Sequence, residues 1–487
     1  MGPILFTHSY FLMFDPKQRK AAQPYPPLAP LIAAALLRQH GYPVTLFDTM
    51  FAASPREILP FLNVPKGTLV IYEDGFNYLT KMCLTNMRKA AFEMISMAKS
   101  RGYTVILSGS DSTDHYEAYL EHGADFIIIG EAEMTLLDLL NAIGNDGNPG
   151  SIPGLAFRTP GGNTRTAPRT VLRDLDLLPL PAWDLITIEP YKKTWLARHG
   201  YFSINVATTR GCPFKCNWCA KPIYGNRYNS RSPQSVVSEL QMLKRLFQFD
   251  HVWFCDDIFG LRPGWVSEFA ELVQQNNLRF TFKIQSRVDL VIQEKYTESL
   301  AKAGCHSVWM GAESGSQRIL DAMQKGTRVE QIYQATKRLK SAGIRPCLFI
   351  QFGYLGETME DIQLTLKMID DLVPTEIGVS VSYPLPGTVF YEKVKKDLRK
   401  KSNWTDSDDL DLMFTNTYDP RFYRQLHRYV HSSFHLTLAL QYLKQLCCKP
   451  KDLNLAKARK AAATFYYGPS SVIQKLRLNI ILGEHKN

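Results

Sequence analysis

The sequence predicts an α/β protein made of two parallel-sheet units followed by helices, and three observations support this. Short apolar runs alternate with helical patterns through most of the 487 residues, as expected for parallel sheets with crossover helices. Three cysteines interrupt this alternation directly after a strand-like run, and beyond about residue 395 helical spacing replaces it. The expected organisation is an N-terminal α/β domain over residues 1–150, a linker over 151–200, a second α/β domain over 201–395 and a helical C-terminal domain over 396–487.

The N-terminal domain is expected to be a doubly wound, Rossmann-like sheet, because helix-like stretches separate five strand-like runs. These runs cover residues 3–7, 44–48, 68–72, 104–108 and 124–130. Sheets of this kind bind ligands at the carboxyl ends of their strands. Small residues at Ser108, Gly109, Ser110 and Gly130 lie at two such ends, and they would let a bulky ligand approach the backbone.

The second α/β domain is expected to be a (β/α)6 partial TIM barrel. Its six strand-like runs cover residues 203–208, 251–254, 279–285, 307–311, 344–352 and 376–383. Parallel barrels carry their chemistry at the carboxyl ends of the strands, and the polar residues of this region gather there.

The cysteine triplet is the most specific chemical signal in the chain. Cys212, Cys216 and Cys219 are spaced C-x3-C-x2-C on one short loop. Thiolates are soft ligands, and three on one loop can converge on a metal centre while one coordination position stays free. The alternative is a structural zinc site, which needs four closed ligands; His251 or Cys255 could supply the fourth.

Composition bounds the function. The chain is 45% hydrophobic and 21% charged with a net charge of +11, and it has no compact Lys/Arg block of the kind that binds nucleic acid. Nine cysteines do not indicate a disulfide framework. We see no signal peptide and no apolar run of the ~18 residues that a membrane-spanning helix needs. We therefore expect a cytoplasmic protein with no membrane span and no nucleic-acid partner.

The cysteine loop closely resembles the signature of the radical S-adenosylmethionine (SAM) enzymes. Residues 211–219 match C-x3-C-x-aromatic-C, with Trp218 in the aromatic position. The resemblance implies that Cys212, Cys216 and Cys219 hold a [4Fe–4S] cluster whose fourth iron binds SAM. Reduction of SAM at such a cluster gives a 5′-deoxyadenosyl radical.

Further segments of the second domain resemble the SAM-binding elements of the same family. Residues 311–316 with 325–327 match G-x-E-S-G-S and K-G-T, and residues 353–358 match G-x-P-G-E-T except that Leu355 replaces the usual proline. The resemblance implies a set of SAM-binding residues, namely Trp218, Asp257, Arg287, Glu313, Gln351 and Gly353.

The N-terminal domain resembles the cobalamin-binding domain that precedes many radical SAM cores. The residues that carry this resemblance are 26–30, 40–44, 108–110, 123–125 and 130–133. The D-x-H-x-x-G motif is missing, because Asp114-His115 lacks its spacing and His8 lacks the companion residues; we therefore expect no histidine below the cobalt. The alternative is a domain that kept the fold and lost the cofactor. The implied cobalamin-binding residues are Ser108, Gly109, Ser110, Gly130 and Glu131.

Together these features resemble the class B radical SAM methyltransferases. The resemblance implies methyl transfer to an unactivated carbon of a small-molecule or lipid substrate through the 5′-deoxyadenosyl radical, with an electron donor of the flavodoxin or ferredoxin type. The alternative is a ring-forming or rearranging radical SAM enzyme, similar to tetrapyrrole cyclases, without net methyl transfer. A tRNA methylthiotransferase would need further cluster cysteines in the N-terminal half, which contains only Cys83 ahead of the triplet.

The C-terminal domain is expected to contain a long helix over residues 418–448. His427, His431 and His435 recur every four residues on one face, and we expect partly buried helix residues in preference to a metal stripe. Residues 435–446 are amphipathic enough to lie on a membrane. We favour the alternative, a helix that closes the barrel mouth or shapes the substrate pocket.

Overall fold

A computed structural model describes residues 2–448 and 454–484. The N-terminal part of the chain forms a seven-stranded sheet. The strand order is β2-β1-β3-β4-β5-β6-β7, and the first five strands are parallel. The strands are β1 (Ile4–Thr7), β2 (Val44–Phe47), β3 (Thr68–Tyr72), β4 (Thr104–Ser108), β5 (Phe126–Ile128), β6 (Leu155–Thr159) and β7 (Gly162–Arg165).

Helices cover this sheet, and its strand order places the ligand crevice. The order 2-1-3-4-5 is that of flavodoxin-like folds, in which β1 and β3 flank the topological switch point. The helices are α1 (Pro16–Ala21), α2 (Leu28–Gln39), α3 (Tyr78–Lys81), α4 (Thr85–Lys99), α5 (Ser110–Asp114), α6 (Tyr116–Glu121) and α7 (Glu133–Gly144). The five predicted strands are confirmed, and the loops after β1 and β3 are the expected ligand side.

The predicted linker contains structure that the sequence reading did not anticipate. β6 and β7 form an antiparallel hairpin that adds two strands to the edge of the sheet. The two strands are short, and the second, Gly162–Arg165, is polar and largely exposed, so apolar alternation could not reveal it. The helix α8 (Glu189–His199) completes this connector. The boundaries at 150, 200 and 395 stay predictions.

The second domain is a parallel six-stranded sheet in which consecutive strands are neighbours, β8-β11-β12-β13-β14-β15. This winding is that of a partial (β/α) barrel, and it confirms the predicted fold class. Its strands are β8 (Ser203–Val206), β11 (His251–Phe254), β12 (Thr281–Ser286), β13 (Cys305–Glu313), β14 (Arg345–Phe352) and β15 (Glu376–Val381), with a small separate ladder of β9 (Thr209–Arg210) and β10 (Asn229–Ser230).

The helices of the second domain connect its strands, except for α16, which follows the last strand, and each buries apolar side chains. They are α9 (Pro233–Phe247), α10 (Trp265–Gln275), α11 (Val288–Val291), α12 (Glu294–Ala303), α13 (Gln317–Ala322), α14 (Val329–Ser341), α15 (Met359–Leu372) and α16 (Val389–Val394).

The two sheets present their carboxyl ends to each other. Lys81, which follows β3, forms a 2.7 Å ion pair with Asp257, which follows β11. Glu131 and Glu133, which follow β5, both pair at 2.6 Å with Arg210, which follows β8. Since both contacts join a loop at the carboxyl end of one sheet to a loop at that end of the other, the two predicted ligand sides share one interface.

Three helices complete the described chain, as expected of the C-terminal segment: α17 (Pro420–Cys448), α18 (Leu455–Ala462) and α19 (Thr464–Glu484). Residues 449–453 and 485–487 of the predicted helical domain lie outside the described residues. Gln425 of α17 donates to the backbone carbonyl of Gln474 in α19 at 2.9 Å, and Phe422 and Leu426 of α17 are fully buried. None of the described helices combines the length and the apolar character needed to cross a membrane.

Candidate active site

The loop that carries the three cysteines is closed at its base by the β9–β10 ladder, which pairs Arg210 with Asn229. Gly211 begins the loop with a φ of +77°, and a Cβ atom there would lie 2.3 Å from the carbonyl oxygen of Arg227. Only glycine fits this close approach. The ladder and this turn hold the loop at the carboxyl end of β8.

The three thiols lie close enough to interact. Cys212, Cys216 and Cys219 are all free and half-buried. Burial raises the pKa of Cys219 to about 12, and the nearby Asp257, Cys216 and Cys212 contribute to this rise. Burial likewise raises the pKa of Cys212, with contributions from Asp257 and Cys216. A bound metal cation would lower these pKa values, because coordination deprotonates a thiol. The donor set therefore suits a soft metal centre.

Asn217, between the second and third cysteines, fixes the middle of the loop. Its backbone N–H donates to Met323 at 3.1 Å, and its side-chain amide donates to Ala322 at 2.7 Å. Its side-chain oxygen accepts from the Tyr354 hydroxyl at 3.0 Å, and its carbonyl accepts from the Phe390 N–H at 2.9 Å. Four bonds to the ends of three different elements set the orientation of the neighbouring thiols. The motif spacing gave no sign of this role.

Two lysines bring positive charge to the thiols. Burial alone would lower the pKa of Lys81, but the Asp257 carboxylate and the Cys219 thiol outweigh it and the pKa is raised. The same balance, with Glu313 and Cys216 as partners, raises the pKa of Lys325. Both ammonium groups therefore stay charged beside the cysteine loop. Lys81 belongs to the N-terminal domain, so only the docking of the two domains, which a sequence does not display, could have revealed it.

The adjacent carboxylates Asp256 and Asp257 have different environments. Asp256 is buried and accepts from the backbone N–H groups of Thr208 and Thr209 at 2.7 and 2.9 Å, so it shapes the end of β8. Burial raises the pKa of Asp256 to about 6. Asp257, the predicted SAM contact, is half-buried, pairs with Lys81 and lies within electrostatic reach of Cys212.

Glu313 ends β13 in an unusual conformation. Its φ of +60° lies in the left-handed region, which residues other than glycine seldom adopt. Its carboxylate pairs with Lys325 at 2.8 Å, and both side chains are buried. The Lys325 ammonium also lies 5.9 Å from the ring centre of Trp218, whose buried indole N–H has no hydrogen-bond partner among the residues described. A strained backbone at Glu313, a buried ion pair with Lys325 and an N–H on Trp218 that has no described partner are together typical of a ligand site.

Arg287 contacts the cysteine loop directly. Its guanidinium stacks on Phe214 of the cysteine loop at 3.5 Å and donates to Asp289 at 3.0 Å. It also donates to the carbonyl of Lys325 at 3.3 Å. Arg287, the predicted partner of the SAM carboxylate, is thus buried next to the loop. In this structure the Asp289 carboxylate pairs with its guanidinium.

Gln351 and Gly353 end β14 on the same edge. The Gln351 amide donates to Ser382 at 2.8 Å, and the Gly353 N–H donates to Glu357 at 2.6 Å. Five of the six predicted SAM-binding residues therefore lie at the carboxyl ends of β11, β12, β13 and β14, on the barrel edge that carries the cysteine loop, and the sixth, Trp218, belongs to the loop itself. Their roles stay predictions.

The predicted cobalamin residues occupy the facing edge. Gly109 passes so close to Glu73 that a Cβ atom there would lie 2.7 Å from the Glu73 side chain. Ser108 and Ser110 are buried beside it. Gly130 approaches the loop that follows the cysteines, since a Cβ atom there would lie 3.6 Å from the carbonyl of Ile223.

The Glu131 carboxylate is bound by protein donors. One oxygen accepts from Arg210 and the other from the backbone N–H of Leu172. The docking of the two domains buries Arg210, which requires a carboxylate partner. The predicted contact of Glu131 with the cofactor stays a prediction.

Unsatisfied polar atoms collect where the strand order places the crevice. Loops after β1 and β3, together with the segment before α2, contribute five buried side-chain atoms that have no partner within residues 2–448 and 454–484. They are Tyr10 Oη, Tyr25 Oη, Glu73 Oε2, Asp74 Oδ2 and Asn77 Nδ2. Because buried polar groups are almost always paired, this cluster indicates the binding surface of a polar ligand.

Each candidate for a fourth zinc ligand has a hydrogen-bond partner in the protein. His251 Nδ1 is hydrogen-bonded to Ser203 at 2.8 Å, and the Cys255 thiol donates to the carbonyl of Val206 at 3.4 Å. Within the described part of the chain no three His, Cys, Asp or Glu side chains are grouped around a single ion position, and this includes the three loop cysteines, whose thiols would have to turn toward one another to hold any metal.

Comparisons with known proteins agree with this geometry. The model of the radical SAM superfamily matches residues 206–369. An uncharacterised methyltransferase of Pyrococcus horikoshii is 28% identical over 315 residues, which are 64% of this chain and 67% of that protein. The anaerobic magnesium-protoporphyrin IX monomethyl ester cyclase of Rubrivivax gelatinosus is 28% identical over 297 residues, 59% of this chain. The match spans only 53% of the cyclase.

A solved structure shares the whole fold. The cobalamin-dependent S-adenosylmethionine radical enzyme OxsB, with aqua-cobalamin and S-adenosylmethionine bound, superposes with a TM-score of 0.76. The match covers 99% of this chain and 75% of that chain at 15% sequence identity, so it establishes the fold alone.

Proposed function

The chain belongs, through residues 206–369, to the radical SAM superfamily, and on this premise we propose that it is a cobalamin-dependent radical SAM methyltransferase. Its substrate is a small molecule or lipid that receives the methyl group at an unactivated carbon. One observation carries the proposal. Three free thiols lie at the carboxyl edge of the barrel, and this edge faces the crevice of the N-terminal sheet, where buried polar atoms have no hydrogen-bond partner among the described residues.

Cys212, Cys216 and Cys219 would hold the [4Fe–4S] cluster. They fit it because they are free, half-buried and within electrostatic reach of one another. A cluster held by these thiolates would supply the single electron that cleaves SAM, and the charge and burial around the sulfurs would tune its potential. Lys81 and Lys325 place two ammonium groups beside these thiols, which favours their thiolate form.

The edge around the loop suits SAM. Asp257 offers a carboxylate for an ammonium group, Arg287 a guanidinium for a carboxylate, and Glu313 an acceptor for a ribose diol. Each of these side chains is paired with a protein partner, so SAM binding would replace that ion pair with a contact to SAM. The indole N–H of Trp218 has no partner among the described residues, so a hydrogen bond to SAM would break no existing contact.

The facing edge suits cobalamin. The polar atoms around Glu73 and Asp74 would bind the amide groups of a corrinoid, which supplies a carrier for the methyl group. Burial raises the pKa of Asp74 to about 6, so near neutral pH a fraction of this carboxyl is protonated and can donate as well as accept. The His8 ring hydrogen-bonds to Asp48 at 3.0 Å and to the Thr49 hydroxyl at 3.0 Å, and our expectation that no histidine binds the cobalt stays a prediction.

The relatives allow a second activity. The matched cyclase is named for closing a ring on a porphyrin ester, and it is as similar as the matched methyltransferase in percentage identity. Ring formation without methyl transfer is therefore the alternative for this chain. An electron donor of the flavodoxin or ferredoxin type serves both.

The first test concerns the cluster. We expect the anaerobically purified protein to be brown and to contain iron and sulfide, and we expect Cys212→Ala, Cys216→Ala or Cys219→Ala to remove the colour. Cys448→Ala, which changes an exposed cysteine at the end of α17, is the matched control and should keep it. A triplet variant with full iron content and SAM cleavage would contradict the proposal.

The second test separates the two activities. The wild-type protein is incubated with SAM, reductant and cobalamin, and the products are quantified by mass. Formation of both 5′-deoxyadenosine and S-adenosylhomocysteine supports methyl transfer. 5′-Deoxyadenosine alone supports the ring-forming alternative, and neither product from protein with an intact cluster would reject both.

A further inference from the structure

The C-terminal helix α19 packs against the protein through one face and exposes apolar side chains on the opposite face. Ser471 and Leu478 are buried against the rest of the protein, and Gln474 accepts a hydrogen bond from Gln425 of α17 at 2.8 Å. This face anchors α19 to the long helix α17. The contact accounts for only one side of the helix.

The opposite side exposes a continuous row of large apolar side chains. Their spacing of three, four and seven residues places them within about a third of the helix circumference, since each residue advances by about 100°. They are exposed to 83% at Phe465, 70% at Tyr466, 60% at Val472, 47% at Ile473, 57% at Leu476 and 61% at Ile480. We call this row the α19 stripe. Single exposed apolar residues are ordinary, but a contiguous row marks an interaction site.

Positive charge borders the α19 stripe. Lys475 and Arg477 are exposed, and helical geometry places one on each border of the row. Helices α18 and α19 together carry five Lys or Arg residues and a single acidic residue, Glu484. The whole chain has a net charge of +11. An apolar row between cations is complementary to a surface with anionic headgroups above acyl chains.

We propose that the α19 stripe docks on an anionic lipid bilayer. The helix lies on the membrane, because none of the described helices could cross it. Phe465 and Tyr466 lead the stripe at its N-terminal end, and aromatic rings of this kind favour the level of the headgroups. A second copy of the chain is the less favourable occupant, because a two-fold contact through the stripe would bring Lys475 and Arg477 of both copies together.

This surface is separate from the cysteine loop, and the inference goes beyond the proposed function. The test uses the purified full-length chain and phosphatidylcholine vesicles with or without phosphatidylglycerol, in a sedimentation assay. We expect binding to the anionic vesicles that weakens as salt is raised. The double change Leu476→Ser with Ile480→Ser should lower the partition coefficient by at least about a hundredfold, since the variant loses the apolar area that these side chains would bury in the bilayer.

Two controls make the result specific. Leu246→Ser changes a side chain on α9 that is 58% exposed, and it should leave vesicle binding unchanged. Lys475→Gln with Arg477→Gln should lower binding about tenfold on anionic vesicles and leave binding to pure phosphatidylcholine unaffected. The charge variant keeps the stripe intact, so it tests the inference even if the serine variant folds poorly.

Three outcomes would overturn the inference. Wild-type protein that binds neither type of vesicle would do so, as would serine and charge variants that bind as tightly as the wild type. A serine variant that changes only the oligomeric state, measured by light scattering, would assign the stripe to a second copy of the chain.

Discussion

Glu357 shows how a single carboxyl group can fix the backbone of a site. One of its oxygens accepts from the Gly353 N–H at 2.6 Å, and the other is buried without a partner among the described residues. Burial raises the pKa of Glu357 to about 8. The following helix α15 is capped by Thr358, so the capping role considered for Glu357 falls to its neighbour. Glu357 instead holds the end of β14 in place.

This environment predicts a pH-dependent stability. The folded state keeps the Glu357 proton up to about pH 8, whereas the unfolded chain loses it near pH 4.5, as an ordinary glutamic acid does. Its contribution is therefore full below pH 4.5 and is lost as the pH rises through 8. Between pH 5.5 and 8.5 the wild type should lose about 3 kcal/mol of stability relative to Glu357→Gln, measured from urea midpoints.

Glu360→Gln is the matched control, because Glu360 lies three residues further on, in the first turn of α15, and is exposed. Its difference from the wild type should stay constant across this pH range. A constant difference for Glu357→Gln as well would show that this carboxyl is ionised throughout.

At the scale of elements, helix α17 stacks three histidines along one face. The ring centres of His427 and His431 are 4.4 Å apart, those of His431 and His435 are 6.3 Å apart, and His435 stacks on Tyr467 of α19 at 4.9 Å. All three are half-buried, as the sequence led us to expect. Burial lowers the pKa of His427 to about 3 and that of His431 to about 4, and the neighbouring histidines and Lys17 add to this.

The histidine row should make the C-terminal helices sensitive to acid. The unfolded chain binds protons at these positions near pH 6.5, whereas the folded state binds them only near pH 3 to 4, so stability falls as the pH drops below 6.5. We expect amide hydrogen exchange in α17 to accelerate more between pH 7 and pH 5, after correction for intrinsic rates, than in a His427→Gln, His431→Gln variant. His40→Gln, which changes an exposed histidine, should behave as the wild type. Equal acceleration in all three proteins would contradict the assignment.

Sequence patterns located elements well where burial is regular. The predicted strand run over residues 251–254 matched β11 residue for residue, because its local apolar pattern defines it. The β6–β7 hairpin was missed because its second strand is polar. The cysteine loop was found from spacing alone, but its anchor Asn217 was not, since its partners lie more than 100 residues away.

At the scale of the molecule, one ion-pair cluster joins the domains next to the cysteine loop. Arg210, two residues before Cys212, is buried between Glu131 and Glu133 at 2.6 Å from each. Its guanidinium also lies over the rings of Phe76 and Tyr224, at 5.6 and 5.2 Å. The position of the loop relative to the facing sheet therefore depends on a contact that neither domain can make alone.

Removing the Arg210 cation should lower the free energy of unfolding much more than removing an exposed arginine does. Arg210→Met leaves two buried carboxylates without their cation, and breaking a buried ion pair in this way costs about 3–5 kcal/mol. We expect a correspondingly lower urea midpoint for the metal-free protein, whereas Arg345→Met, which breaks the exposed pair with Glu376, should cost less than about 1 kcal/mol. Adding Glu131→Gln and Glu133→Gln to Arg210→Met should recover most of the loss, because the variant then buries amides instead of charges. If Arg210→Met unfolded no more readily than Arg345→Met, the domains would be held together by their apolar contacts, and the loop position would not depend on this cluster.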